Sequence, residues 1–383
     1  LPDFMLNYSA VNHRAVSEWI ANQWTGGQYS LLRIVCGIWM LAHFSSLAAR
    51  IFPSTESGLL LIALGLTVLI ITGLYDRIAA FLLAGMLFYM QGFTPLGQDR
   101  NLPYLVLIGL LLAQQQPAPY GSLQRVREID PGTGWQMPRW LYVQLWLLMA
   151  FDLASSGWLR LSNLLDGVDR GITAANRGTM WAAWAACAIE LSFPLLALVR
   201  PLRLWAWLTV IALRPLLLGL SAPADFSMAQ WLMHLMFFDP VWIRPVMTQS
   251  PETVFYDGHC GLCHGAVRFL LAEDRDGSRF RFAPLDSDLF LRTVPEHLRR
   301  DLPDSLIVLT EQGRLLTRSA AVLHLLHRLG GAWRLLAMIM LPVPQPLRDA
   351  AYDAIARMRH RLFPAPEAAC PMLPPALRGR FLS

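Results

Sequence analysis

At 383 residues the chain is long enough for two domains, and with 55% hydrophobic and only 15% charged residues it lies far from the balance of a soluble protein. The formal net charge of +5 is spread without a basic block, which excludes a nucleic-acid footprint, and all 32 basic residues are arginine, which excludes Schiff-base or lysine general-base chemistry. Five cysteines are too few for a disulfide framework in a chain of this length.

Residues 1–29 are mixed in character, with Trp19 and Trp24 near the end, and read as an interfacial helix leading into a membrane. They lack a charged start followed by an apolar core, so no cleavable signal peptide is expected. Apolar runs follow at 30–48, 58–74, 78–93, 102–116, 140–158, 179–199, 204–220 and 226–243. A spanning helix needs about 20 apolar residues. These runs therefore predict an all-α polytopic membrane bundle of about eight spans, forming a domain over residues 1–247. Cys36 and Cys187 sit inside such runs and read as small core residues.

His43, Asp152, Glu190, Arg214 and His234 lie within or at the ends of the apolar runs. Ionisable groups at membrane depth are costly and face a cavity or each other. Pairing of Arg214 with Asp152 or Glu190 is expected, either as a purely structural ion pair or as part of a polar pocket. The pocket reading offers a site for lipid, a quinone or another amphipathic molecule. Eight spans would place the loop residues Arg14, Arg77, Arg125, Arg127, Arg139, Arg200, Arg203 and Arg244 on the side of the termini and Arg50, Arg100, Arg160, Arg170 and Arg177 on the other. That bias predicts a bacterial-type inner-membrane protein with both termini in the cytoplasm.

Residues 244–252 read as a linker, and a second domain is expected over 251–383. Thr253–Tyr256 is a short β-prone run, broken by Asp257-Gly258. From Gly261 the apolar residues Leu262, Ala266, Phe269 and Leu270 fall at helical spacing. Strands are predicted at 279–283, 305–310 and 314–317, with a turn at 311–313 between the last two. A helix follows over Ser319–Leu329, with Ser319 as N-cap and Gly330-Gly331 as stop. The βαβ…ββα order is that of an α/β thioredoxin-like domain. Trp333–Leu341 is apolar enough to rest on a membrane, and Leu347–Phe363 reads as an amphipathic, arginine-rich helix.

Cys260 and Cys263 fall where the strand turns into the helix. A thiolate at such a place is stabilised by unpaired backbone N–H groups at the positive helix end. The i, i+3 spacing puts both sulfurs on one helical face, within reach of a small disulfide ring. Three readings of the pair stay open. In the redox reading Cys260 is the nucleophile and Cys263 the resolving thiol, with Asp257 or His259 helping to move the proton. No cofactor is then required, and the partner is a protein or small molecule bearing a thiol or disulfide. In the metal reading His259 or His264 would join the two thiolates on zinc or copper; with no second C-x-x-C, the expected metal complement is none. In the haem reading Cys260-Gly261-Leu262-Cys263-His264 spells a c-type haem attachment string; the strand–turn–helix context and the predicted cytoplasmic side count against it. Asp257 has the alternative role of helix cap. Pro303 precedes a strand, where a thioredoxin would carry its cis-proline, though an ordinary loop proline is the plainer reading. Cys370 stands either as a third thiol in relay or as an idle tail cysteine.

Asp257-Gly258-x-Cys260-x-x-Cys263, with Asp274 after the helix, resembles the signature of the DCC-type thiol-disulfide oxidoreductases, a thioredoxin-like group. The likeness continues through Phe280-Arg281-Phe282-Ala283-Pro284-Leu285, 304–308 and Arg348-Asp349-Ala350-Ala351-Tyr352-Asp353 to Cys370. It implies a thiol-disulfide oxidoreductase domain over the last third of the chain. The first part is similar to the HTTM domain, a multi-span module related to vitamin K-dependent carboxylase. That likeness rests on Asn101-Leu102-Pro103-Tyr104, Pro119–Leu123, Gln144–Asp152 and Ser156–Leu161. Arg160 stands where that family often carries lysine, and Arg214 where it carries histidine. Both departures count against carboxylase-type chemistry.

Overall fold

A computed structural model describes residues 24–116, 121–125, 135–166, 177–221, 227–246, 249–299, 302, 306–362 and 375–382. The chain divides into two compact units. The first comprises Leu31–Pro117 and Met137–Asp239, with residues 1–23 assigned to it; the second comprises Trp24–Ser30, Ala118–Gln136 and Pro240–Ser383. The expected interfacial segment, apart from its last residues, lies outside the described residues, as do Pro303 and Cys370.

The first unit is mostly helical. Its helices are α1 (Gly26–Ile51, whose first turn belongs to the second unit), α2 (Thr55–Thr72), α3 (Asp76–Phe93), α4 (Leu102–Ala113), α5 (Arg139–Leu165) and α6 (Arg177–Leu198). They continue as α7 (Arg203–Leu208), α8 (Arg214–Ser221) and α9 (Met228–Leu235). Helix α3 packs on α2 and α4, and α5 on α6, which also meets α8. Small residues permit the closest approaches. A Cβ on Gly157 of α5 would stand 2.9 Å from Glu190 Cβ of α6, and one on Gly109 of α4 would stand 3.0 Å from Ala84 Cβ of α3.

Among the described residues, three helical stretches are long and apolar enough to cross a membrane: Gly26–Ile51, Thr179–Leu198 and Arg200–Gly219. The expected number of about eight is thus reduced. Two other apolar helices, Glu56–Thr72 and Leu102–Ala113, are shorter, and at 1.5 Å per residue the 12 residues of α4 extend only about 18 Å. Helix α5 has the length, but Arg139, Asp152 and Arg160 interrupt its apolar sequence. The loop placement of Arg160 is also corrected. It lies inside α5, 8% exposed and paired with Glu190, so it does not act as an interfacial charge. Nor does Arg203, which is buried with its Nε on the Ala197 carbonyl.

Between α7 and α8 the chain makes one π-helical stretch, Thr209–Leu213, immediately before Arg214-Pro215. Its cause lies in the sequence. Pro215 has no N–H for the carbonyl of Ile211, and its ring crowds that carbonyl. The Ile211 oxygen accepts instead from Trp231 Nε1 at 2.9 Å.

The second unit holds a four-stranded mixed sheet, β1 (Glu252–Tyr256), β2 (Phe280–Pro284), β3 (Ile307–Leu309) and β4 (Leu315–Leu316), in the order β2-β1-β3-β4. Strand β1 runs parallel to β2 and antiparallel to β3, and β3 is antiparallel to β4. Helix α10 (Gly261–Glu273) joins β1 to β2, as a parallel pair requires. Helices α11 (Asp288–Thr293) and α12 (Glu296–Arg299) precede β3, and α13 (Arg318–Leu329), α14 (Gly331–Met340), α15 (Gln345–Leu362) and α16 (Pro375–Arg378) follow β4. The core gathers Phe255, Ala283, Phe290, Val294 and Ile307. Beyond α16 the tail covers the edge of β2: Phe282 N donates to the Arg380 carbonyl at 2.9 Å, and Leu382 N to the Phe282 carbonyl at 2.8 Å.

Two local expectations shift. Helix α10 buries Cys263, Val267, Leu270, Leu271 and Glu273, a face rotated from the predicted set Leu262, Ala266, Phe269 and Leu270. The N-cap of α13 is Thr317 rather than Ser319. Ser319 instead donates its hydroxyl to Asp349 of α15.

Candidate functional site

Two sets of side chains carry chemistry, one in each unit. In the second unit, β1 ends at Tyr256, and Asp257, Gly258 and His259 form the turn into α10. The turn closes on itself: Asp257 Oδ1 accepts from His259 N at 2.8 Å, and Cys260 N donates to the Asp257 carbonyl at 3.3 Å. Cys260 is the N-cap of α10, in extended conformation, and its carbonyl accepts the first helical bond from His264 N at 3.0 Å. Asp257 therefore shapes the turn one step ahead of the cap.

Cys263 sits in the first turn of α10. Both cysteines are free thiols and both are buried, Cys260 at 1% exposure and Cys263 at 6%. Burial pushes the Cys263 thiol up to about 12, and the charge and hydrogen bond of the adjacent Cys260 act in the same direction, against one backbone N–H from Asp257. Cys263 thus holds its proton at neutral pH. The His264 ring is engaged by the turn and by β1. Its ring nitrogen Nε2 lies 2.7 Å from the Gly258 carbonyl, and the ring meets Tyr256 edge-on with centroids 5.8 Å apart. No group of three or more His, Cys, Asp or Glu side chains able to hold a metal occurs among the described residues.

Asp274, directly after α10, has a role that residue spacing alone did not reveal. It is fully buried, with Oδ1 accepting from Arg279 Nη1 at 3.0 Å and Oδ2 from Arg380 Nη2 at 2.5 Å. Its Oδ2 also accepts from Arg279 N and Phe280 N. One carboxylate thereby ties the end of the cysteine-bearing helix to β2 and to the tail. The Arg348–Asp353 stretch does similar work: Asp349 accepts from Ser319 N at 3.2 Å, Tyr352 Oη accepts from Leu306 N at 3.3 Å, and Asp353 pairs with Arg318 at 3.4 Å.

Glu273, the last residue of α10, is buried and accepts from Thr25 Oγ1, from Gly27 N at 2.9 Å and from Trp333 Nε1 at 2.6 Å. Burial holds its carboxyl above the usual carboxylate range despite these donors. The sequence signal for it was an acidic residue one position before the motif aspartate, on the helix face that carries Cys263 and Leu270.

In the first unit Asp152, Glu190, Arg214 and His234 come together, and His43 does not join them. Glu190 is fully buried between two guanidiniums, 2.7 Å from Arg214 Nε and 3.3 Å from Arg160 Nε. Arg214 Nη1 donates to Gln230 Oε1 at 3.1 Å, and Gln230 Nε2 donates to Asp152 Oδ2 at 2.7 Å. Asp152 also accepts from Tyr104 at 3.1 Å and lies 3.6 Å from His234 Nε2. Gln230 is thus the link between the two acids, visible beforehand only as an amide inside an apolar run. His43 lies apart, 2.8 Å from Asp99 Oδ2, beside a separate cavity.

A family model of DCC1-like thiol-disulfide oxidoreductases matches residues 254–365. The uncharacterized protein YuxK of Bacillus subtilis is 35% identical over 136 residues, which are 35% of this chain and 96% of that one. A chloroplastic DCC family protein of Arabidopsis thaliana is 31% identical over 120 residues, which are 31% of this chain and 65% of that protein. The family match lies within about the last third of the chain, and each of the two relatives covers about a third of it. No solved structure matches it.

Proposed function

The chain belongs to the DCC1-like thiol-disulfide oxidoreductase family through its C-terminal part, and from that premise we propose that Cys260 and Cys263 form a redox-active dithiol. The observation that carries the reading is the placement of the pair: two buried thiols, one at the N-cap and one in the first turn of α10, close enough to interact, just after the central strand β1. The strand order, with β3 as the one strand that runs against the other three, supports a thioredoxin-like arrangement, in which a dithiol occupies this same strand–helix junction.

Catalysis runs as thiol–disulfide exchange. The Cys260 thiolate, facing the N–H end of α10, attacks one sulfur of a substrate disulfide. That S–S bond breaks and the first substrate thiol leaves with a proton. Cys263 then gives up its proton and attacks the Cys260 sulfur. The second substrate thiol departs and a Cys260–Cys263 disulfide remains. The dithiol loses two electrons and the substrate disulfide gains them; the reverse sequence oxidises a dithiol substrate. We assign the proton movement to Asp257 or His259, which stand in the turn directly before Cys260. A protonated Cys263 suits a resolving thiol, whose proton has to leave only after the mixed disulfide has formed.

The finer parts of the reading concern the rest of the chain. Three helices of spanning length and apolarity support membrane association; we assign the protein to a bacterial inner membrane, while the arginine count that put the dithiol in the cytoplasm lapses with the eight spans it presumed. The first unit is read as an HTTM-like module holding a lipid or quinone whose occupancy is linked to the dithiol, a reading supported by the Asp152–Gln230–Arg214–Glu190 network. The direct test of the chemistry is Cys263→Ser, which should trap a mixed disulfide on Cys260 with small-molecule disulfides. Trapping that occurs instead only in Cys260→Ser reverses the two roles.

A further inference from the structure

Helix α15 carries its two faces the wrong way round for water. Its polar side chains turn to the protein: Asp349 accepts from Ser319 N at 3.2 Å, Tyr352 Oη from Leu306 N at 3.3 Å, and Asp353 pairs with Arg318 at 3.4 Å. Leu347, Ala351, Ile355 and Met358 fall at helical spacing on one stripe, and all four are exposed. A helix on a water-facing surface shows the reverse, with its apolar stripe toward the core.

Helix α14 ends in the same manner. Its inner face buries Gly331, Trp333 and Ala337. Trp333, the first residue of the apolar stretch read from the sequence, is thus turned inward, with its Nε1 on Glu273. Met338, Ile339, Met340 and Leu341 are exposed in succession, Ile339 at 69% and Leu341 at 66%, and Leu347 follows beyond the turn at 64%. Four consecutive residues encircle a helix, so the whole tip is apolar rather than one side of it. The tip also presents few backbone donors. Pro342, Pro344 and Pro346 have no N–H. The N–H groups of Leu341, Val343, Leu347 and Arg348 donate to the carbonyls of Ala337, Met340 and Pro344. The Val343 carbonyl accepts from Arg348 Nε at 2.8 Å. Backbone that enters lipid has to be satisfied internally in this way.

The attachment of α14 favours a bilayer as the cover. The first turn of α1 belongs to the second unit, and α14 is fastened to it. Ala332 N donates to Gln28 Oε1 at 3.1 Å, and Glu273 accepts from both Gly27 N and Trp333 Nε1. Helix α1 is one of the three stretches long and apolar enough to cross a membrane. The 10 residues of α14 extend about 15 Å, half of what a crossing needs. The base of α14 is therefore held at the end of a helix of spanning length, and its apolar tip suits the interfacial layer rather than a crossing.

We propose that the tip of α14 and the Leu347–Ala351–Ile355–Met358 stripe of α15 lie in the interfacial layer of the bilayer, so that the sheet-bearing unit makes its own contact with lipid. The inference rests on the membrane association of the chain and is independent of the thiol chemistry.

The test uses the full chain reconstituted into phosphatidylcholine vesicles. Ile339→p-benzoylphenylalanine and Ile355→p-benzoylphenylalanine place a photoreactive group on the tip and on the stripe. Arg292→p-benzoylphenylalanine, at an exposed position of α11, is the control. Illumination followed by mass spectrometry reads what lies against each position. Phosphatidylcholine adducts at Ile339 and Ile355, lost in the Arg292 control, are the expected result. Adducts to a second copy of the chain, or to its own residues 363–374, make the cover a protein and overturn the lipid contact. Equal lipid adducts in the control overturn the assignment to this face. A chain that resists alkaline extraction from the vesicles but yields no lipid adduct overturns the docking and leaves the membrane association standing; a chain that alkali extracts overturns both. If either variant fails to fold, Leu347→p-benzoylphenylalanine, at the start of α15, decides by the same readings.

Discussion

Asp274 anchors the C-terminal end of the cysteine helix. Its buried carboxylate meets Arg279 and Arg380 together with two backbone N–H groups of β2. Removing one partner of a buried ion pair costs about 3–5 kcal/mol, because the remaining charge is left without compensation. Asp274→Asn should therefore lower the stability of the second unit by roughly that amount, read by pulse proteolysis in urea. A loss below about 1 kcal/mol, the size of an exposed pair, would show that the arginines are solvated instead. At this scale the sequence was uneven. The Cys260–Cys263 pair was legible because strand, turn and helix signals converge on it. The role of Asp274 was not, because Arg380 lies 106 positions away and only the fold brings them together. Gln230 and Tyr104 escaped for the same reason: their polar groups gain meaning only through Asp152, on another helix.

The elements of the second unit are pinned by two features that can be tested separately. Gly330, between α13 and α14, has φ of +77° and ψ of −165°, a region open almost only to glycine. A Cβ there would stand 2.7 Å from the Pro245 nitrogen and 3.1 Å from the Ile243 carbonyl oxygen, both backbone atoms that cannot step aside. Gly330→Ala should cost at least about 1–3 kcal/mol of backbone strain, measured by denaturation; a neutral effect would show that the junction can adopt another conformation. At the start of β1, burial pushes the Glu252 carboxyl up. The hydrogen bond and charge of His324 and the charge of Arg328, both on α13, outweigh it and hold the group below the usual carboxylate range. A depressed carboxyl contributes stability above its unfolded value, and loses it as pH falls through the folded value. Glu252→Gln should thus be less stable than wild type at neutral pH, with the difference closing below about pH 4, in urea denaturation followed across pH. A constant difference would show that the carboxylate charge does not contribute. The strands and helices α10, α13 and α15 were largely legible from periodicity and breakers, whereas the short α11 and α12 were not foreseen and α14 showed only as an apolar stretch. The rotated face of α10 was not, since Cys263 and Glu273 are buried while Phe269 is only half-buried against Trp333.

Taken as a whole molecule, the chain combines a mostly helical unit with a small mixed-sheet unit, and hydropathy alone overcounted the membrane crossings of the first. Apolar runs mark buried helices as well as spanning ones, and α4 is too short to be counted by composition and length. The polar groups inside those runs proved more informative than the runs, because each charge at such depth demands a partner, and Glu190 with its two arginines meets that demand. The central claim is that a membrane-associated chain carries a reversible two-electron couple at Cys260–Cys263. Equilibrating the full-length protein in glutathione buffers of graded potential, quenching with a maleimide mass tag and counting tagged cysteines tests it most directly. The account predicts that two thiols disappear together along one curve with a tenfold change per about 30 mV, and that Cys260→Ser and Cys263→Ser each abolish the transition. A chain whose Cys260 and Cys263 remain tagged at every potential, or titrate independently of each other, would contradict it.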